Sequence, residues 1–184
     1  MLAPGSASPN NTMQTYIILF RGVNVGGKNL LPMKELVALL EKNGFKKIKY
    51  YIQSGNIVLQ GQRVSPAEIG TLVARKFGFK PEVLVLKKSE FNSSITHNPY
   101  YPAEGKLVHF YFCSKTPKLN TQKLEKYLAE SEEYKLVNKV FYLYAPKGIG
   151  RSKLATNLES CLGVPVTGRN LNTIKKLQEM LENM

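Results

Sequence analysis

The chain has 184 residues, with 26 Lys and Arg against 13 acidic residues, a formal net charge of +13 and a hydrophobic share of 43%. That length and apolar content suit one compact unit or two small ones, and no apolar run approaches the roughly 20 residues of a membrane-spanning helix. Every acidic residue is a glutamate, so the aspartate that holds metal in phosphate-loop NTPases is missing.

The positive excess is spread along the chain. Residues 14–98 carry 13 basic and 5 acidic side chains, and residues 99–184 carry 13 and 8. A basic globular protein attracts nucleic acid and other polyanions without specificity. Most of the excess is lysine, which a solvated surface also explains.

Residues 1–13 lack the basic-then-apolar order of a signal peptide and read as a leader or disordered tail. A buried-type strand is expected over 16–20, ending at Arg21. A glycine-rich loop follows, with Asn24, Gly26, Gly27, Lys28 and Asn29. Gly22, Gly27 and Lys28 have phosphate-loop spacing, but Asn29 stands where Ser or Thr would hold magnesium, and Pro32 starts the helix too late. Two readings of the loop remain: anion binding by backbone N–H groups, or a tight strand-to-helix connection that needs glycine.

An amphipathic helix is expected over 32–43, with Met33, Leu36, Val37, Leu39 and Leu40 inward and Gly44 as its stop. Strands over 48–52 and 57–59 flank the polar turn Gln53-Ser54-Gly55-Asn56. A second helix over 66–77 opens on Ser65 as N-cap, and a fourth strand covers 83–86. The order is βαββαβ, the ferredoxin-like arrangement. Residues 89–101 read as a polar connection with room for one helical turn.

The second half repeats the order. Strands are expected over 107–113, 134–137, 140–144 and, briefly, 164–166, with helices over 120–130 and 152–162. A terminal helix covers 172–181. The predicted fold is α+β, two tandem ferredoxin-like halves with an extra C-terminal helix. Its boundaries are 14–88 for the first half, 89–105 for the connection and 106–184 for the second half.

In a βαββαβ unit the first and third strands are central, antiparallel neighbours. That topology brings residues 21–29 beside residues 53–56. By the same logic, residues 148–153 come near residues 167–173, so that Arg151 and Arg169 converge at two helix N-termini. Ser152 and either Asn170 or Asn172 are suited to cap those helices. Arg at a helix N-terminus opposes the dipole unless an anion offsets it.

No nucleophile–base pair or paired-carboxylate site stands out. His97 and His109 are too isolated for a zinc site. Cys113 and Cys161 sit in apolar segments, as free buried thiols of a reducing cytosol do, and a cytoplasmic location is expected. Tyr142 and Tyr144 share a strand face and read as half-buried packing rather than a stacking platform.

Four ordered motifs, RGVNVGGKNLLPMKEL, YIQSGNIVLQ, GIGRSKL and TGRNLNTIKKL, resemble the domain-of-unknown-function 1697 family of mostly bacterial proteins. The resemblance runs from about Met13 to the C-terminus, and Leu171 stands where the family usually has Trp. It implies a duplicated fold of ferredoxin-like halves and no established activity. It also marks Arg21, Asn24, Gly26, Gly27, Lys28, Gln53, Ser54, Gly55 and Asn56 as signature, with Arg151, Ser152, Lys153, Arg169, Asn170, Asn172 and Thr173.

Three functions follow. The first is binding of a phosphate-containing ligand or nucleic acid through Arg21, Asn24, Gly26, Gly27, Lys28, Gln53, Ser54, Asn56, Arg151, Lys153, Arg169, Asn170 and Asn172. The second is an enzyme acting on a phosphorylated or nucleotide-like small molecule, with the same donors stabilising developing charge. The third is a purely structural role, in which the signatures hold the halves together. No cofactor is assigned, no membrane partner is expected, and a monomer is compatible with the sequence.

Overall fold

The computed structural model describes residues 12–184. The leader expected over 1–13 therefore lies, apart from Thr12 and Met13, outside the described residues. The described chain opens with β1 (Gln14–Arg21), α1 (Met33–Lys42), β2 (Lys46–Tyr51), β3 (Asn56–Gly61), α2 (Pro66–Phe77) and β4 (Glu82–Lys87). Then come α3 (Lys88–Thr96), β5 (Val108–Cys113), α4 (Thr121–Tyr127), β6 (Glu133–Val137) and β7 (Val140–Tyr144). A 3₁₀ turn (Ile149–Arg151), α5 (Lys153–Leu162), β8 (Val166–Asn170) and α6 (Leu171–Glu182) complete the chain.

Two four-stranded antiparallel sheets result, with strand orders β2-β3-β1-β4 and β6-β7-β5-β8. β1 is a central strand, and its apolar run is explained by burial on both faces. Tyr16, Ile18 and Phe20 pack with Met33, Leu36 and Leu40 of α1 and with Ile69 and Val73 of α2. Ile17 and Leu19 face the other way, toward Phe110, Tyr142 and the α6 residues Ile174 and Leu177. Alternation with period two thus sends one strand into two cores. The outer face of the second sheet packs Phe141 and Leu143 against Leu154, Leu158 and Leu162 of α5.

Local signals hold where caps exist. Ser65 Oγ accepts from the Glu68 N–H at 3.1 Å and starts α2 where expected. Cys113 and Cys161 are free and buried. Within α1, only Met33, Leu36 and Leu40 are fully buried, and Val37 and Leu39 are half-buried, because the helix lies on one sheet face and shows its flanks to solvent.

Two expectations are corrected. The polar connection contains a nine-residue helix, α3, rather than a single turn. Its polar sequence hides one deep anchor, Phe91, and Glu90 Oε2 accepts from the Lys87 N–H at 2.8 Å to close its first turn. The last strand is not 164–166 but Val166–Asn170, so the Thr-Gly-Arg-Asn segment is strand rather than turn. Gly168 lies opposite Tyr111 in the ladder, and a Cβ there would stand 2.6 Å from the Tyr111 ring. Glycine here serves a close approach rather than a turn. Of the two asparagines suited to cap α6, Asn170 does so, its Oδ1 accepting from the Thr173 N–H at 3.0 Å.

Candidate functional site

The predicted juxtaposition forms at the end of the first sheet. Leu19 pairs with Asn56, and the Phe20 N–H donates to the Gly55 carbonyl at 2.9 Å. Gly55 has a φ of +83°, and a Cβ there would lie 2.7 Å from Phe20 Cβ, so conformation and space both demand glycine.

The glycine-rich loop is a small hairpin. Gly26 and Gly27 have φ of +57° and +72°, and the Lys28 N–H donates to the Val25 carbonyl at 3.0 Å. Two consecutive positive φ values describe a two-residue type I′ turn, which favours Gly-Gly. Asn24 locks the hairpin from beneath. Its Nδ2 donates to the carbonyls of Leu31 (3.0 Å) and Gln53 (2.7 Å), and its Oδ1 accepts from the Leu31 N–H at 2.7 Å. Asn29 Nδ2 donates to the Gly22 carbonyl at 3.1 Å. Lys28 at the tip is exposed and makes no side-chain hydrogen bond or ion pair among the described residues.

Arg169 and Arg21 tie the two halves together. Arg169 Nε donates to Asn56 Oδ1 at 2.6 Å, and its Nη2 donates to the carbonyls of Phe20 and Ser54. Its Nη1 donates to the Gly168 carbonyl at 2.8 Å. Burial pushes the guanidinium pKa down to about 10, which leaves it charged at neutral pH. Asn56 is fully buried, and its Nδ2 donates to the Tyr51 carbonyl (3.0 Å) and Ser54 Oγ (2.9 Å). Arg21 Nη1 lies 2.9 Å from Glu82 Oε2 on β4 and 2.6 Å from Glu159 Oε1 on α5.

The second motif pair behaves differently. Arg151 is exposed and shares no partner with Arg169. Antiparallel pairing of β8 with β5 turns Arg169 toward the first sheet, so the expected convergence of the two arginines does not form. Lys153 is exposed in the first turn of α5, which Ser152 Oγ caps through the Ala155 N–H at 3.0 Å. Asn172 is exposed beside Gly105, where its Oδ1 occupies the space of a Cβ. Gln53 contributes its carbonyl, and its side chain is exposed. Tyr142 is fully buried with its hydroxyl on the Ser94 carbonyl, and Tyr144 stacks on Tyr100 at 5.7 Å, so neither forms an exposed platform.

A separate open groove of about 490 Å³ runs beside β2, lined by Lys34 and Val37 of α1, Ile48, Lys49 and Tyr50 of β2, and Lys176 and Met180 of α6. Lys49 Nζ donates to the Asn183 carbonyl at 3.2 Å, and Lys176 lies 3.4 Å from Glu179. Lysines on an edge strand such as β2 also discourage pairing with a second chain. The sequence showed these lysines only as members of a diffuse charge. Their gathering, like the pairing of Arg21 with Glu82 and Glu159, spans too much chain for any local pattern to signal.

Among the described residues, no group of three or more His, Cys or Glu side chains is placed to hold a metal ion, and no helix is long and apolar enough to cross a membrane. The family described as "Protein of unknown function (DUF1697)" matches residues 13–142, a stretch that includes the hairpin and the 53–56 turn. A conserved bacterial protein from Streptococcus pneumoniae has a similar solved structure, with a TM-score of 0.70 at 25% identity over 92% of this chain and 99% of that one. No curated protein matches the chain. Neither description assigns an activity.

Proposed function

The chain belongs to the DUF1697 family, and from that footing we propose that it is a binding protein for nucleic acid or a phosphate-bearing ligand. The observation that carries this reading is the basic groove: three lysines, Lys34, Lys49 and Lys176, around an apolar floor with the half-exposed Tyr50 beside it. Ammonium groups meet phosphates, and an aromatic face offers a base a surface for stacking. Lys28 on its glycine hairpin extends the positive surface at the same end of the sheet, since the hairpin leads directly into α1 and touches Gln53 just after β2.

The architecture that supports this surface is read as two ferredoxin-like units, over 14–88 and 106–184, joined by 89–105. The repeated element order and the matching strand orders favour that reading. The signature residues divide between two tasks. Gly26, Gly27 and Lys28 face outward, where a ligand can reach them. Arg21, Asn24, Asn56 and Arg169 spend their polar groups on protein partners, which favours the structural role for those four. Arg151 and Lys153 are exposed and lie elsewhere on the second half.

Fluorescence anisotropy with a mixed-sequence single-stranded oligonucleotide and with inorganic polyphosphate, at two salt concentrations, tests the reading. Binding should weaken steeply as salt rises. Replacing Lys34, Lys49 and Lys176 together by Gln should weaken it, while replacing Lys118 and Lys123 on α4 and its approach should not. Absence of binding to either probe at low salt would sink the proposal.

A further inference from the structure

A cavity of about 260 Å³ opens between α3, the end of β5 and the β6–β7 turn, and shares no lining residue with the basic groove. Leu86, Phe112, Val137 and Val140 give it an apolar floor. Glu90, His97 and Lys139 also line it. Glu90 gives one carboxylate oxygen to the Lys87 N–H. Neither Glu90 nor Lys139 has an ion pair among the described residues.

The geometry excludes an obvious reaction. His97 Nδ1 lies 3.3 Å from Ser93 Oγ, which suggests a nucleophile and its base. It also lies 2.7 Å from the Ser93 carbonyl oxygen, which only accepts. Nδ1 therefore carries the proton, and in the neutral ring the lone pair sits on Nε2. His97 cannot take the Ser93 proton through that contact. Cys113, also in the lining, is a neutral thiol, because burial pushes it up to about 11. The cavity has the character of a binding site.

We propose that this cavity binds a free apolar α-amino acid. Its carboxylate pairs with Lys139, its ammonium with Glu90 and the His97 acceptor, and its side chain rests on the apolar floor. A single charge on the lining would select a simple acid or a simple amine. Unpaired charges of both signs around one apolar cavity complement a molecule that carries both. The volume lies below the roughly 300–1,000 Å³ of drug-sized sites, which favours a small metabolite. A phosphate-bearing ligand would have to place its charge beside Glu90.

Titration calorimetry and thermal shift on the full chain test this with L-leucine and L-phenylalanine. Glycine lacks the side chain, N-acetyl-leucine lacks the ammonium, and leucinamide lacks the carboxylate. At about 10 mM, leucine or phenylalanine should raise the melting temperature, and the three comparison compounds should bind at least roughly tenfold more weakly. Glu90→Gln should remove the preference over N-acetyl-leucine, and Lys139→Met the preference over leucinamide. Equal response to N-acetyl-leucine and leucine, or no response to either apolar amino acid, overturns the proposal. If Glu90→Gln loosens α3, the comparison of compounds on the unmodified chain decides alone.

Discussion

Arg169 is half-buried, charged and without a carboxylate partner among the described residues. Four neutral acceptors offset its charge instead, and three of them belong to the first half. Arg169→Ala should therefore cost about 3 kcal/mol, since each buried acceptor left unsatisfied costs roughly 1–3 kcal/mol and relaxation recovers part of the total. Arg169→Lys should recover little, because one ammonium cannot reproduce a planar fork. Chemical denaturation of the three proteins measures both. His109 is a second residue-scale case. It is buried, its Nε2 has no hydrogen-bond partner among the described residues, and desolvation holds its pKa below the ordinary value of about 6.5. Above that pH both folded and unfolded chains hold it neutral, and it adds no pH dependence. As pH falls from about 6.5 toward the lower folded value, the unfolded chain takes up a proton that the folded one resists, so stability is lost in that window. The drop in melting temperature between neutral and mildly acidic buffer should shrink in His109→Phe.

At the scale of elements, the 53–56 turn and β8 depend on glycine for different reasons. Gly55→Ala combines a left-handed backbone with a 2.7 Å approach to Phe20 Cβ, and should cost at least about 2 kcal/mol. Gly168→Ala meets the flat Tyr111 ring at 2.6 Å in ordinary strand geometry, so the ring must shift. By contrast, an added Cβ at Gly26 or Gly27 meets nothing within 4 Å. Alanine at either position strains only the hairpin turn and should cost roughly 1–2 kcal/mol of backbone energy, a drop of a few degrees in the melting temperature. Thermal melts of the four variants should rank the turn and the strand above the hairpin. That ranking bears on function, since a loop whose shape is locked from beneath by Asn24 and open above is free to serve a partner.

The two sheets share one core as well as one polar joint. Ile17, Leu19 and Val58 of the first sheet, Phe110 and Tyr142 of the second, and Ile174 and Leu177 of α6 form a single cluster. Separating the halves would expose all of them. The described chain should therefore unfold in one transition, with calorimetric and van't Hoff enthalpies equal. Two resolved transitions would show that the shared cluster does not couple the halves. The Arg21 pairs with Glu82 and Glu159 are partly exposed and should contribute little to that coupling. Arg21→Gln is expected to cost at most about 1 kcal/mol, with less effect at high salt.

Elements with a local cause were legible in the chain alone. A short continuous apolar run marked the central strand β1, Ser65 marked the start of α2, and the βαββαβ order placed the Arg21 loop beside Gln53–Asn56. What escaped were features whose cause lies far away in the chain. The Thr-Gly-Arg-Asn segment reads as a turn until Tyr111 is seen to require its glycine. The α3 helix reads as a polar connection because Phe91 is its one large buried residue. Apart from Gly168, the partners of Arg21 and Arg169 lie 61 to 149 residues distant along the chain, and they decide whether each arginine faces a ligand or the protein. Charge and donor type are properties of a residue, written in the sequence. Whether that charge is already offset depends on which surfaces meet, and only the packing of the two halves decides it.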